Sequence, residues 1–198
     1  MKFDRNSLLL YAVTDRKWTS PQVSLYDQVC AAIDGGVSCV QLREKQLDES
    51  DFLAQARLIG KLCRARRVPF IINDNVEIAA QTGADGVHVG QEDLEAGRTR
   101  ELLGPDKLIG VSAHSVEEAL AAQAAGADYL GVGAIYPTTT KVVTVITSTD
   151  TLGEICRAVP IPVNAIGGLN RDNLGVLKGI PIRGICVVSA IMKADDPK

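Results

Sequence analysis

Two cations and an amide occupy alternate positions in the segment Gln41-Leu42-Arg43-Glu44-Lys45. If this segment closes a strand, alternation places Gln41, Arg43 and Lys45 on one face and Leu42 and Glu44 on the other. Converging cations beside an amide grip an oxyanion, although Arg43 and Lys45 could equally pair with carboxylates on a rim. Asn73-Asp74 ends the run FIIND, and Asp93 follows the run GVHVG. Two carboxylates on neighbouring loops suit Mg²⁺, which binds one or two carboxylates and completes its shell with phosphate oxygens and water. Each aspartate also precedes a helical stretch, where it could act as an N-cap. Ser112-Ala113-His114 brings a hydroxyl and an imidazole to a further loop. No G-x-S-x-G elbow or carboxylate motif accompanies them, so Ser112 reads as a hydrogen-bond donor, and His88 and His114 read as structural. Pro137-Thr138-Thr139-Thr140-Lys141 offers three hydroxyls and an ammonium on a long loop, Ala134–Ser148, able to close over a phosphate. Ile166-Gly167-Gly168 and Val187-Val188-Ser189-Ala190 supply small residues where backbone N–H groups can approach an anion.

These groups need a scaffold that gathers loop ends. Short apolar runs at Leu8–Thr14, Ser38–Arg43, Phe70–Asn73, Gly86–Val89, Leu108–Ser112, Tyr129–Gly133, Val163–Gly167 and Gly184–Ser189 read as strands. Amphipathic stretches such as Ser50–Arg66, Ser115–Ala125 and Asp150–Ala158 lie between them. Alternating strands and helices predict a parallel sheet, and eight strands predict closure into a compact (β/α)₈ TIM barrel. GADGVHVG (83–90) recurs as GADYLGVG (126–133), with GGVSCVQL (35–42) a looser copy, as expected for repeated βα units. No linker divides the chain, so residues 1–198 are expected to form one domain, with the last outer helix short or missing. In such a barrel the active site lies at the C-terminal ends of the strands.

Composition narrows the function classes. With 46% hydrophobic and 23% charged residues and a net charge of −3, the chain shows no footprint of a nucleic-acid or anionic-membrane partner. No apolar run is long enough to span a bilayer, and the polar start Met1–Asn6 is unlike a signal peptide. Cys30, Cys39, Cys63, Cys156 and Cys186 form no CxxC pair. They read as reduced core thiols, which implies a cytoplasmic location. Self-association into a homo-oligomer is left open.

Taken together, LYAVTD (10–15), VQLREK (40–45), PFIIND (69–74), GADGVHVGQED (83–93), GVSAH (110–114), GADYLGVGAIYPTTTK (126–141), AIGGLNRDN (165–173) and VVSAI (187–191) resemble the thiamine-phosphate synthase family, in order and along nearly the whole chain. The resemblance implies a transferase that condenses 4-amino-2-methyl-5-(diphosphooxymethyl)pyrimidine with a thiazole phosphate, giving thiamine phosphate and pyrophosphate. It implies that Gln41, Leu42, Arg43, Glu44, Lys45, Asn73, Ser112 and Lys141 hold the pyrimidine diphosphate. Thr138, Thr139, Thr140, Gly168, Val188 and Ser189 would hold the thiazole phosphate, and Asp74 and Asp93 would hold Mg²⁺. It also implies a dissociative reaction in which the C–O bond breaks first, leaving a pyrimidinylmethyl cation. Arg43, Lys45 and Lys141 would then serve catalysis by stabilising the departing diphosphate, and no nucleophile is required. Three positions depart from the family pattern: Ala134 where proline is common, Val142-Val143-Thr144 where an acidic residue is expected, and Asn164 within an apolar strand. A thiazole tautomerase of the same superfamily, with His114 as acid/base, and a non-catalytic phosphate-ligand sensor are the competing readings.

Overall fold

In the computed structural model, which describes residues 4–90, 96–138, 144–194 and 196–198, eight parallel strands close into a barrel in sequence order. The strands are β1 (Leu10–Val13), β2 (Cys39–Leu42), β3 (Phe70–Asn73), β4 (Gly86–Val89), β5 (Leu108–Ala113), β6 (Tyr129–Val132), β7 (Val163–Ile166) and β8 (Gly184–Val187). β8 pairs with β1, so no edge remains. The helices are α1 (Leu25–Asp34), α2 (Glu49–Arg66), α3 (Val76–Thr82), α4 (Ala96–Leu103), α5 (Val116–Ala124), α6 (Thr149–Ala158) and α7 (Ser189–Met192). Between β7 and β8 a 3₁₀ turn, Leu174–Leu177, replaces a helix, and α7 is a single turn, in line with the expected short last helix.

Helix starts are set by short polar side chains. Ser24, Asp48, Asn75, Ser115 and Ser148 each accept a backbone N–H in the first turn of the helix that follows. Asn75, not Asp74, caps α3, which releases the Asp74 carboxylate from the capping role the sequence left open. Five strands, β1, β2, β6, β7 and β8, are shorter than expected. Leu8 lies in a 3₁₀ turn, Arg5–Leu8, opened by the Asp4 carboxylate accepting from Asn6 N–H, so β1 starts only at Leu10. Ser189 belongs to α7 rather than to β8.

Alternation along each strand builds two cores. Ala12, Val40, Leu42, Ile72, Val87, Ile109, Leu130 and Ala165 face the helices and join one large apolar cluster with their buried faces. Tyr11, Val13, Cys39, Ile71, Leu108, Tyr129 and Cys186 point inward and fill the lower barrel. Asn164 also points to this interior: its Nδ2 donates to Leu8 O at 2.7 Å, tying β7 to the turn that precedes β1. All five cysteines are free thiols, and burial raises Cys63 and Cys186 to about 12 and Cys156 to about 11. Among the described residues no helix is long and apolar enough to cross a membrane.

Candidate active site

A cavity of about 740 Å³ opens at the C-terminal ends of the strands, within the size range of small-molecule sites. Its wall is the upward continuation of the inward-facing positions: Gln41, Arg43 and Lys45 from β2 and its loop, Asn73 from β3, His88 and Gly90 around β4, Ser112 and His114 around β5. Leu42 and Glu44, on the opposite parity, turn away. Leu42 is fully buried against the helices. Glu44 forms a two-pronged ion pair with Arg16, Nε to Oε2 at 3.1 Å and Nη2 to Oε1 at 3.0 Å. With the Glu44 side chain only 2% exposed, this pair fastens the β2 loop to the β1 loop. Thr14 adds a second tie, its hydroxyl accepting from Arg43 N–H at 3.0 Å. Both ties leave Arg43 and Lys45 facing the cavity.

Opposite charges meet at the mouth on this side. Lys45 Nζ pairs with Asp74 Oδ2, and Asn73 Nδ2 donates to Asp74 Oδ1 at 3.0 Å. Asp74 adopts the left-handed backbone region (φ 62), which aspartate tolerates better than most residues, and its N–H reaches His88 O at 2.8 Å. The carboxylate thereby turns from the helix end toward the cavity. Among the described residues no three His, Cys, Asp or Glu side chains gather into a metal-binding group. Asp74 is one hard oxygen donor with lone pairs to spare beyond its two partners, which fits Mg²⁺ held largely by substrate oxygens.

The far wall is built by backbone. Ile135 N–H donates to Ile166 O at 3.0 Å and Tyr136 N–H to Gly167 O at 3.0 Å, so the loop after β6 lies directly on the end of β7. A Cβ on Gly167 would fall 2.3 Å from Ala134 Cβ, and one on Gly168 would fall 2.6 Å from Tyr136 Cβ. Both glycines also have positive φ (99 and 65). The glycine pair is therefore required by the approach of the neighbouring loop as well as by any ligand. Ala134 occupies a tight place there, bonded through its N–H to Val145 O and through its carbonyl to Thr147 N–H, at 2.9 and 2.8 Å. Thr138, Gly168, Val188 and Ser189 complete this side of the cavity.

Ten of the residues singled out in the sequence thus share one cavity: Gln41, Arg43, Lys45, Asn73, Asp74, Ser112, Thr138, Gly168, Val188 and Ser189. Asp93, Thr139, Thr140 and Lys141 lie outside the described residues. Both histidines read as structural from sequence line the cavity. His114 Nδ1 donates to Gly133 O at 2.5 Å, and its backbone N–H donates to Glu118. His88 is held well below the ordinary imidazole range, at about 4, because burial penalises its charged form. The signal for His88 was its inward parity in GVHVG.

A family model described as thiamine monophosphate synthase matches residues 10–191. The chain is 48% identical to a thiamine-phosphate synthase of Clostridium acetobutylicum, over 96% of this chain and 89% of that one. It is 49% identical to a thiamine-phosphate synthase of Ruminiclostridium cellulolyticum, over 96% and 90%. A solved thiamine phosphate pyrophosphorylase from Pyrococcus furiosus superposes with a TM-score of 0.87 at 36% identity, covering 98% of this chain and 91% of that one. Agreement of sequence and fold along almost the whole length leaves one conclusion: the chain belongs to the thiamine monophosphate synthase family.

Proposed function

We propose that this chain condenses an aminopyrimidine carrying a diphosphooxymethyl group with a thiazole phosphate, forming thiamine phosphate and pyrophosphate. The carrying observation is a single cavity with Arg43, Lys45 and Asp74 on one side and the Gly168–Ser189 rim on the other. That layout offers a place for a diphosphate and a second place for a monophosphate. Gln41, Arg43, Lys45, Asn73 and Ser112 hold the pyrimidine diphosphate, joined by Lys141. Thr138, Gly168, Val188 and Ser189 hold the thiazole phosphate, joined by Thr139 and Thr140. Leu42 and Glu44 act on the first substrate indirectly, by fixing the backbone that carries Arg43 and Lys45.

Asp74, with Asp93, would hold Mg²⁺, which when bound offsets negative charge on the diphosphate. The chain's own residues do the rest. The C–O bond to the pyrimidine methylene breaks with its electron pair passing to the diphosphate, and Arg43 and Lys45 stabilise that anion. The thiazole nitrogen, placed by the opposite rim, donates its lone pair to the resulting carbon cation. Apolar walls from Val13, Ile166, Leu169 and Val187 keep water from capturing the cation first. Pyrophosphate leaves as the anion already formed, and no protein nucleophile enters the balance.

The test is synthesis by the purified full chain with Mg²⁺ and both substrates, followed by chromatography for thiamine phosphate. Arg43→Ala and Lys45→Ala are each expected to lower the rate about 10²–10³-fold, the usual cost of one charged transition-state donor. EDTA should abolish turnover. Tight binding of both substrates without product would overturn the reading in favour of a ligand sensor.

A further inference from the structure

Beneath the cavity an unbroken chain of hydrogen bonds crosses the barrel from β2 to β5. Gln41 Nε2 donates to Tyr11 Oη at 2.9 Å, and Tyr11 Oη lies 2.9 Å from Tyr129 Oη. Tyr129 Oη lies 3.3 Å from His88 Nδ1, and His88 Nε2 lies 3.1 Å from Ser112 Oγ. Both tyrosines are fully buried. The barrel makes room for them: a Cβ on Gly110 would fall 2.1 Å from Tyr129 Cζ and 2.5 Å from His88 Nδ1, and one on Gly131 would fall 3.0 Å from His88 Cε1. The rings of His88 and Tyr129 lie 5.6 Å apart, tilted by 42°.

Donors and acceptors along this chain align in one direction that starts from the Gln41 amide. Tyr11 accepts from the Gln41 amide, and in the aligned arrangement it donates its single hydroxyl proton to Tyr129. Tyr129, accepting from Tyr11, sends its proton to His88 Nδ1. An imidazole nitrogen that accepts carries no proton, so the ring's proton is on Nε2 and is donated to Ser112 Oγ. The Ser112 hydroxyl proton is then directed away from His88, and the Gln41 amide, its nitrogen turned down to Tyr11, presents Oε1 as its acceptor. We infer that Tyr11, Tyr129 and His88 are positioning residues, a one-way relay that fixes Gln41 as acceptor and Ser112 as donor toward the bound ring. An aminopyrimidine matches that polarity, with an amino group to give a proton and a ring nitrogen to receive one. This inference rests on the pyrimidine substrate proposed above. A 4-oxo analogue, whose edge accepts where the amino group donates, does not match.

The relay is tested by ¹⁵N NMR of the imidazoles in the full-length protein, which has only two histidines. His114→Gln assigns the signals. The expected result is the Nε2–H tautomer for His88. In Tyr129→Phe and Tyr11→Phe that preference should collapse, and discrimination between amino- and oxo-pyrimidine diphosphates, read as competitive inhibition, should fall about ten-fold, the equivalent of one hydrogen bond. If a tyrosine variant does not fold, Ser112→Ala gives the same reading, because Nε2–H then loses its acceptor and its resonance moves. An Nδ1–H tautomer in the unaltered protein, or imidazole signals unmoved by all three changes, would overturn the relay. Nε2–H together with failure to make thiamine phosphate sinks the proposed reaction and leaves the relay standing.

Discussion

His88 shows how burial decides the chemistry of a single side chain. An ordinary imidazole titrates near 6.5, whereas burial holds this one at about 4. Between those values the unfolded chain takes up a proton that the folded chain refuses, so stability falls as pH drops from 6.5 to 4 and is unaffected by His88 above that window. Urea unfolding at pH 7.5 and 4.5 should show an acid loss larger in the unaltered protein than in His88→Gln, by on the order of 1–3 kcal/mol. Residues of this kind are hard to read in a sequence. Gln41, Arg43 and Lys45 were legible because polar side chains at alternate positions after an apolar run announce a strand end with one functional face. Tyr11, Tyr129 and His88 sit inside apolar runs and look like plain core. Only the barrel's closure, which pairs β8 with β1 and turns β1, β4 and β6 toward one interior, reveals that their polar atoms meet.

The loop after β6 and the turn after β7 behave as one element, joined by Ile135–Ile166 and Tyr136–Gly167 backbone bonds. Gly168→Ala is expected to strain a positive-φ position and push against Tyr136, lowering stability by about 1–3 kcal/mol and raising KM for the thiazole phosphate. Denaturant melts and substrate titrations measure the two effects. Sequence located Phe70–Asn73 and Gly86–Val89 to the residue, because Pro69 and the Gly-Ala-Asp turn bound them sharply. Leu8 and Leu9 were drawn into β1 by their apolarity alone, whereas the Asp4 side chain had already committed that stretch to a 3₁₀ turn. Asp74 could not be separated from Asn75 as a helix cap, since both residue types accept a backbone N–H equally well.

At the scale of the molecule, period-two alternation carried through eight strands divides the chain into an apolar outer layer and an inner column, half packed and half open. Asn164 belongs to the packed half. Asn164→Ala removes the donor to Leu8 O and should cost about 1–3 kcal/mol in urea unfolding while leaving substrate KM unchanged. The open half has a different origin. On β5, on β6 and just past it, the inward positions Gly110, Gly131 and Gly133 carry no side chain, and Tyr129, His88 and the Ile166 carbonyl stand where their Cβ atoms would be. The dimensions of an acceptable aromatic ring are thus set by the neighbours that these missing side chains let in. A single methyl at Gly131 would press on the His88 ring, 3.0 Å from Cε1, so altering which rings fit means moving a neighbour that already holds the place.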